Sequence, residues 1–290
     1  MPQLIDLIGN TPLVELTRIS PNPKVKIFAK LEGNNPGGSV KDRTAYYMVR
    51  GALERGDLKP GMKLIEATSG NTGIALAMIA RMFDIQIELL MPESSTRERI
   101  LTMEAFGAKV VLTESMEVAR DLALEKAASG AYFILNQFAN PDNWRAHYET
   151  TGPEIWRDTD HSITHFVSSM GTTGTIMGVS RYLKEQNPHV RIVGCQPTEG
   201  ASIPGIRKWP VEYMPQIFER NRVDDIVEVS EEEAIQTTRK LARTEGLFAG
   251  MSSGGAAWAA IEVAKRIDSG TLVFVVCDRG DRYLSSNLFG

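Results

Sequence analysis

The 290-residue chain is 42% hydrophobic and 23% charged, the balance of a soluble globular protein with room for two lobes around a cleft. Its formal net charge of −4 comes with no basic run, which argues against nucleic acid as a partner. No apolar run has the length of a membrane span, and residues 1–6 lack the basic and apolar regions of a secretion signal, so a cytoplasmic location is expected.

A strand is predicted over 26–31 and a helix over 42–55. Between them Asn34-Asn35-Pro36-Gly37-Gly38 is a turn. Lys41 lies in that junction. An ammonium just inside a helix N-terminus faces the positive end of the helix dipole. That field, with burial, lowers its pKa toward the free amine a Schiff-base lysine needs. Taken alone, Lys41 reads first as a solvated surface lysine, as most lysines in any chain do.

The strand Lys63–Ala67 leads through Thr68-Ser69-Gly70-Asn71-Thr72-Gly73 into an apolar helix predicted over 71–83. Small hydroxyls and glycines at such a turn expose backbone N–H groups and suit a carboxylate. Strands at 87–91, 109–112 and 132–135 then alternate with helices at 96–106 and 116–129. The strand His165–Ser169 leads through Gly171-Thr172-Thr173-Gly174-Thr175 into a helix predicted over 175–186. Glycines and hydroxyls before a helix N-terminus make a phosphate cradle. The loop is neither a Walker loop nor a Gly-x-Gly-x-x-Gly fingerprint, so NAD has no support. Each loop, read singly, is equally an ordinary strand-to-helix turn. Strands at 191–196 and 271–277 and helices at 231–244 and 255–267 complete the pattern. The alternation predicts an α/β fold with mainly parallel sheets covered on both faces.

Cys195 and Cys277 lie in apolar strand-like runs and read as buried thiols of a reducing compartment. The four histidines have neither cysteine partners nor a His-Glu-x-x-His spacing, so no metal site is expected. A lysine, a carboxylate cradle and a phosphate cradle in one chain suggest an amino acid held beside a phosphorylated aldehyde cofactor, pyridoxal phosphate.

These segments carry a family resemblance. With Ile8-Gly9-Asn10-Thr11-Pro12-Leu13, Lys30-Leu31-Glu32-Gly33-Asn34 and Ser252-Ser253-Gly254-Gly255, the chain resembles the fold-type II pyridoxal-phosphate enzymes, of the tryptophan synthase β type. Within them it is similar to the cysteine synthases (O-acetylserine sulfhydrylases). The run from Ser202 to Pro210, Gln137-Phe138-Ala139-Asn140-Pro141 and Cys277-Asp278-Arg279-Gly280-Asp281-Arg282-Tyr283 point to their B-type branch. Gly37 departs from the B-type pattern, which carries alanine there.

The resemblance implies a smaller substrate-carboxylate lobe of 35–145. A larger phosphate-binding lobe then takes 1–34 and 146–290, with the cofactor between the two. It implies that Lys41 forms the Schiff base and then acts as base for the Cα proton. The phosphate is assigned to Gly171, Thr172, Thr173, Gly174 and Thr175. Asn71 is assigned the cofactor's phenolic oxygen and Ser252 its pyridine nitrogen, with Ser253 open as an alternative. A serine hydroxyl, unlike an aspartate, does not hold that nitrogen protonated, which suits β-elimination. Thr68, Ser69, Gly70, Asn71, Thr72 and Gln137 are assigned the substrate carboxylate.

The implied reaction makes L-cysteine from O-acetyl-L-serine and sulfide, or S-sulfocysteine from thiosulfate. It is expected to be ping-pong, through an α-aminoacrylate. Arg207 and Lys208 are candidates to offset thiosulfate's extra charge, with a solvated basic pair the open alternative. Arg279 and Arg282 form a second candidate pair. Rival readings are an O-phosphoserine sulfhydrylase, with Arg97 near the phosphate, and a serine-using enzyme like cystathionine β-synthase. A homodimer is implied, as is a regulatory role in which the chain binds the C-terminal tail of serine acetyltransferase.

Overall fold

The chain begins in one sheet, leaves it to build a second, and returns to finish the first. The computed structural model describes residues 1–289. The opening strands are β1 (Leu13–Glu15) and β2 (Val25–Leu31), followed by α1 (Lys41–Glu54). The excursion comprises β3 (Lys63–Ala67), α2 (Asn71–Met82), β4 (Ile87–Pro92), α3 (Arg97–Ala105), β5 (Lys109–Thr113), α4 (Met116–Ala128) and β6 (Tyr132–Phe133). Helices α5 (Pro141–Ala146) and α6 (Gly152–Asp158) lead back to β7 (His165–Ser169) and α7 (Gly174–Gln186). Then come β8 (Arg191–Pro197), β9 (Asp225–Val229), α8 (Glu231–Lys240), α9 (Met251–Ala264) and β10 (Gly270–Val276).

The larger sheet has the order β1-β2-β10-β7-β8-β9 and the smaller one β5-β4-β3-β6. Every pairing is parallel except β1 on β2. β10 shows why its sequence is apolar throughout. Leu272, Phe274 and Val276 enter the core shared with α9, whereas Val273 and Val275 enter the one shared with α7. A parallel strand covered on both faces has no polar side to alternate with. In the smaller unit residues 74–80 of α2 are all buried, between Met48, Val49 and Ala52 of α1 and Leu64 and Leu89 of the sheet. Parallel strands place their C-terminal ends on one edge, where the loops after β3, β7 and β10 meet.

Several boundaries differ from the sequence expectation. β6 stops at Phe133 rather than 135, because Asn136 is left-handed (φ 52°) and turns the chain out of the sheet. α9 begins at Met251, four residues before the predicted start. Its small residues are used for close packing: a side chain on Gly254 would run into Ala234 and Thr238 of α8. α8 ends at Lys240, and a π-helical turn, Leu241–Glu245, carries the chain to the left-handed Gly246. The predicted set lacks β1, α6, β9 and α5, the last although Asn140 caps it and Pro141 sits in its first turn, a start signal present in the sequence.

The start of α1 is held by a buried ion cluster. Arg43 Nε and Nη1 meet Glu32 Oε2 at 2.7 Å and Glu154 Oε1 at 2.6 Å, and Lys30 Nζ meets Glu154 Oε2 at 2.8 Å. Thr11 closes the cluster from the N-terminal arm by donating to Glu32 at 2.6 Å. Among the described residues, no helix is long and apolar enough to cross a membrane, and no group of three or more His, Cys, Asp or Glu side chains is placed to hold a metal ion.

Candidate active site

Lys41 is the first residue of α1. The segment before it is tied to the end of β10: Val40 N–H donates to Cys277 O at 2.8 Å, and Ser39 bridges Asp278. Lys41 N–H donates to Ser39 Oγ at 3.2 Å, whereas its Nζ has no hydrogen bond or ion pair among the described residues. Burial pushes the amine below its ordinary pKa, against the opposing pull of Cys277, Asp278 and Glu32.

The loop after β3 supplies the second wall. Gly70 is the N-cap of α2 and adds no side chain of its own, so the Asn71 and Thr72 N–H groups have no side-chain cap, while Gly73 N–H donates to Gly70 O at 3.1 Å. Thr72 Oγ1 donates to Gln137 Oε1 at 2.8 Å, and both side chains are buried. Gln137 is therefore joined to the 68–72 loop rather than lying on a surface loop. Behind it Glu66 is buried, its Oε2 without a hydrogen-bond partner, and burial pushes its pKa up to about 7 against the pull of the Asn136 and Leu135 backbone.

That shift has a sign. The folded chain binds the Glu66 proton more tightly than the unfolded one, whose carboxyl keeps its ordinary value of 4.5. Its contribution is complete below pH 4.5 and is lost as pH rises through about 7. Glu66→Gln is therefore expected to flatten stability against pH in that window, by up to about 3 kcal/mol. Urea unfolding at pH 5 and 8 reads this, and an unchanged slope would contradict it.

The loop after β7 supplies the third wall. Thr173 caps α7 in a left-handed conformation (φ 70°), unusual for a β-branched residue. Its Oγ1 is buried without a partner. Gly171 allows close backbone approach, since a Cβ there would lie 2.6 Å from Gly205 O. Trp209 Nε1 donates to Gly171 O at 2.7 Å. An orphan hydroxyl and the free N–H groups of a helix start fit the oxygens of a phosphate.

Ser252 and Ser253 differ sharply. Ser253 Oγ accepts Cys277 N–H at 2.9 Å and is committed to the backbone. Ser252 instead faces Gly205, its Oγ 3.4 Å from where a side chain there would begin. Cys277, expected to be buried, is half-exposed beside Lys41; burial raises its thiol to about 11, and the Ser252 hydroxyl pulls against that. Cys195 is fully buried and, like Cys277, free.

Two residues without a motif join the walls. Asn143 Nδ2 donates to Gln137 O at 2.6 Å and to Thr172 Oγ1 at 3.2 Å. His147 Nε2 lies 3.3 Å from Thr44 Oγ1 and 3.2 Å from Thr175 Oγ1. Burial pushes its pKa down to about 3, so the ring is neutral and serves as one donor and one acceptor. The basic candidates divide differently. Lys208 does not join the group: it pairs with Glu228 at 2.9 Å and Glu199 at 3.3 Å on the surface. Arg207 is exposed and donates to Ile206 O. Arg97 is exposed too, and Arg99 is the arginine that reaches the carboxylate loop, donating to Ser69 O at 3.4 Å.

An unpaired lysine amine and two loops of glycines and hydroxyls at helix starts, around one cleft, suit a pyridoxal-phosphate enzyme. The family model described as "Pyridoxal-phosphate dependent enzyme" matches residues 4–278, and the chain belongs to that family. It is 56% identical to cysteine synthase B of Pseudomonas aeruginosa over 291 residues, covering 99% of this chain and 97% of that one. The crystal structure of cysteine synthase from Entamoeba histolytica superposes with a TM-score of 0.94 at 38% identity, covering 100% of this chain and 90% of the other. An O-acetylserine dependent cystathionine β-synthase from Helicobacter pylori superposes with a TM-score of 0.91 at 37% identity, covering 100% and 99%.

Proposed function

We propose that the chain is a B-type cysteine synthase, replacing the acetoxy group of O-acetyl-L-serine with sulfide to make L-cysteine. The observation that carries this reading is the unpaired, half-buried Lys41 amine beside a cleft walled by the 68–72 and 171–175 loops. Full-length identity of 56% to a cysteine synthase B supports the substrate. The reading places residues 35–145 in a smaller lobe and 1–34 with 146–290 in a larger one. Its location is cytoplasmic, in keeping with two free thiols. A homodimer and the C-terminal tail of serine acetyltransferase are its proposed partners.

Pyridoxal phosphate, when bound, supplies an aldehyde for amines and a ring that takes up the electrons of a broken Cα–H bond. The 171–175 loop holds its phosphate, with Thr173 Oγ1 as a donor that has no other partner. Ser252 offers the pyridine nitrogen a neutral hydroxyl. Thr68, Ser69, Gly70, Asn71, Thr72 and Gln137 fix the substrate carboxylate and thereby aim Cα at the lysine. Lys41, with its pKa lowered, takes the Cα proton and later returns it. Thiosulfate is the second proposed donor. Arg207 is the closer candidate for its extra charge, because Lys208 is already neutralised by two carboxylates.

The visible spectrum tests the reading. A yellow protein whose band shifts with O-acetylserine and returns on adding sulfide or thiosulfate is the expected result. A yellow protein that ignores O-acetylserine but answers O-phosphoserine or serine would replace the substrate. A colourless protein that cannot be reconstituted would overturn the reading.

A further inference from the structure

Arg282 is a charge at the cleft that the proposed reaction leaves unused. It lies in the short helical turn Gly280–Tyr283, just after β10. Its Nη1 donates to Asn71 Oδ1 and its Nη2 to Gly37 O. The two acceptors belong to different loops. Asn71 opens α2 in the carboxylate loop, and Gly37 lies in the turn that delivers Lys41. One guanidinium thus spans both.

The other end of the Asn71 amide is also taken. Asn71 Nδ2 donates to Asp278 Oδ2 at 2.7 Å, and Tyr283 Oη donates to the same oxygen at 2.7 Å. The amide therefore sits between a cation on its oxygen and an acid on its nitrogen. Turning it over would oppose NH2 to the guanidinium and oxygen to the carboxyl, with both bonds lost. An amide nitrogen carries two hydrogens. Asp278 takes one, which leaves the second for the cleft. Arg99 makes a parallel crossing from α3, with its guanidinium 5.7 Å from the Tyr283 ring centre and its Nη1 on Ser69 O.

We propose that Arg282 is a positioning residue: together with Asp278 it sets the Asn71 amide and holds the carboxylate loop in register with the loop that carries Lys41. What Asn71 binds rests on the β-replacement reading, whereas the clamp itself rests on the contacts above. Two acceptors in two loops call for a forked donor. A lysine, with one nitrogen on a flexible stem, cannot reproduce the fork.

The test uses the purified holoenzyme carrying Arg282→Ala or Arg282→Lys, each alone and combined with Asn71→Ala. Arg282→Ala is expected to raise KM for O-acetylserine about tenfold or more, as loss of a charged hydrogen bond does, with KM for sulfide unchanged. Amide hydrogen exchange is expected to quicken in both 36–41 and 69–72. Arg282→Lys recovers only part of either effect. On the Asn71→Ala background, Arg282→Ala adds less than about twofold, because the group it positions is gone. Unchanged exchange in both loops, or effects of the two substitutions that multiply independently, would overturn the inference. A wild-type protein that takes up no pyridoxal phosphate would sink the proposed function instead, and the exchange measurement would still report on the clamp.

Discussion

Lys41→Ala is expected to lower kcat for cysteine formation by at least about a thousandfold, while the folded protein becomes no less stable. A positioned proton-transfer group contributes about 10²–10⁴-fold, and in the proposed function one amine both holds the cofactor and moves the proton. The stability half of the prediction follows from its surroundings. Its Nζ makes no bond that the substitution could break, and burial already disfavours its charge. Lys41→Arg does not restore the activity, because a guanidinium stays protonated. Borohydride treatment supplies an independent reading: it bleaches the yellow colour and fixes the cofactor covalently in the wild type, and fixes nothing in Lys41→Ala. A variant that kept a tenth of the activity would remove Lys41 from the mechanism.

The second large effect concerns folding. Arg43→Met is expected to cost about 3–5 kcal/mol, the penalty for leaving buried charges without their partner. Glu32 and Glu154 share that guanidinium, and Glu32 has no solvent to turn to. Burial alone would raise the Glu32 carboxyl, but the Arg43 charge and its hydrogen bonds outweigh it and lower the pKa from 4.5 to about 2. The folded pKa lies below the unfolded one, so this stabilisation is present above pH 4.5 and is lost as pH falls through about 2. Arg43→Met should therefore lower the urea midpoint at pH 7 and weaken its further fall in acid. Lys41 precedes Arg43 by two residues, so activity should fall before the protein unfolds. A loss below about 1 kcal/mol would mean that the cluster repacks without Arg43.

The local parts of this architecture could be read from the chain. Strand–helix alternation was legible because parallel strands buried on both faces are continuously apolar, as β10 is. The 171–175 loop was legible as a strand-to-helix turn with a hydroxyl and glycine pattern that suits a phosphate, because that pattern is local. Helix starts were less so. The Ser252-Ser253-Gly254-Gly255 stretch suits a loop as well as a helix, and only the approach of α8 made it the first turn of α9. The contacts of Asn143 and His147 were not legible, since they consist of touching residues from three other segments.

By itself, the sequence determined most of the elements and singled out Lys41 and the two glycine- and hydroxyl-rich loops, because each depends on backbone geometry within a few residues. Which of two adjacent serines is available to a ligand was decided by tertiary structure, through the Cys277 N–H that engages Ser253. Tertiary structure also turned Lys208 toward Glu199 and Glu228, and brought Arg99 rather than Arg97 to the carboxylate loop. It set Asp278 and Arg282 against Asn71, from which they are 207 and 211 residues distant in the chain. Contacts across such separations are made by the packing of two sheets and the edge they share, and no local pattern of residues encodes that edge.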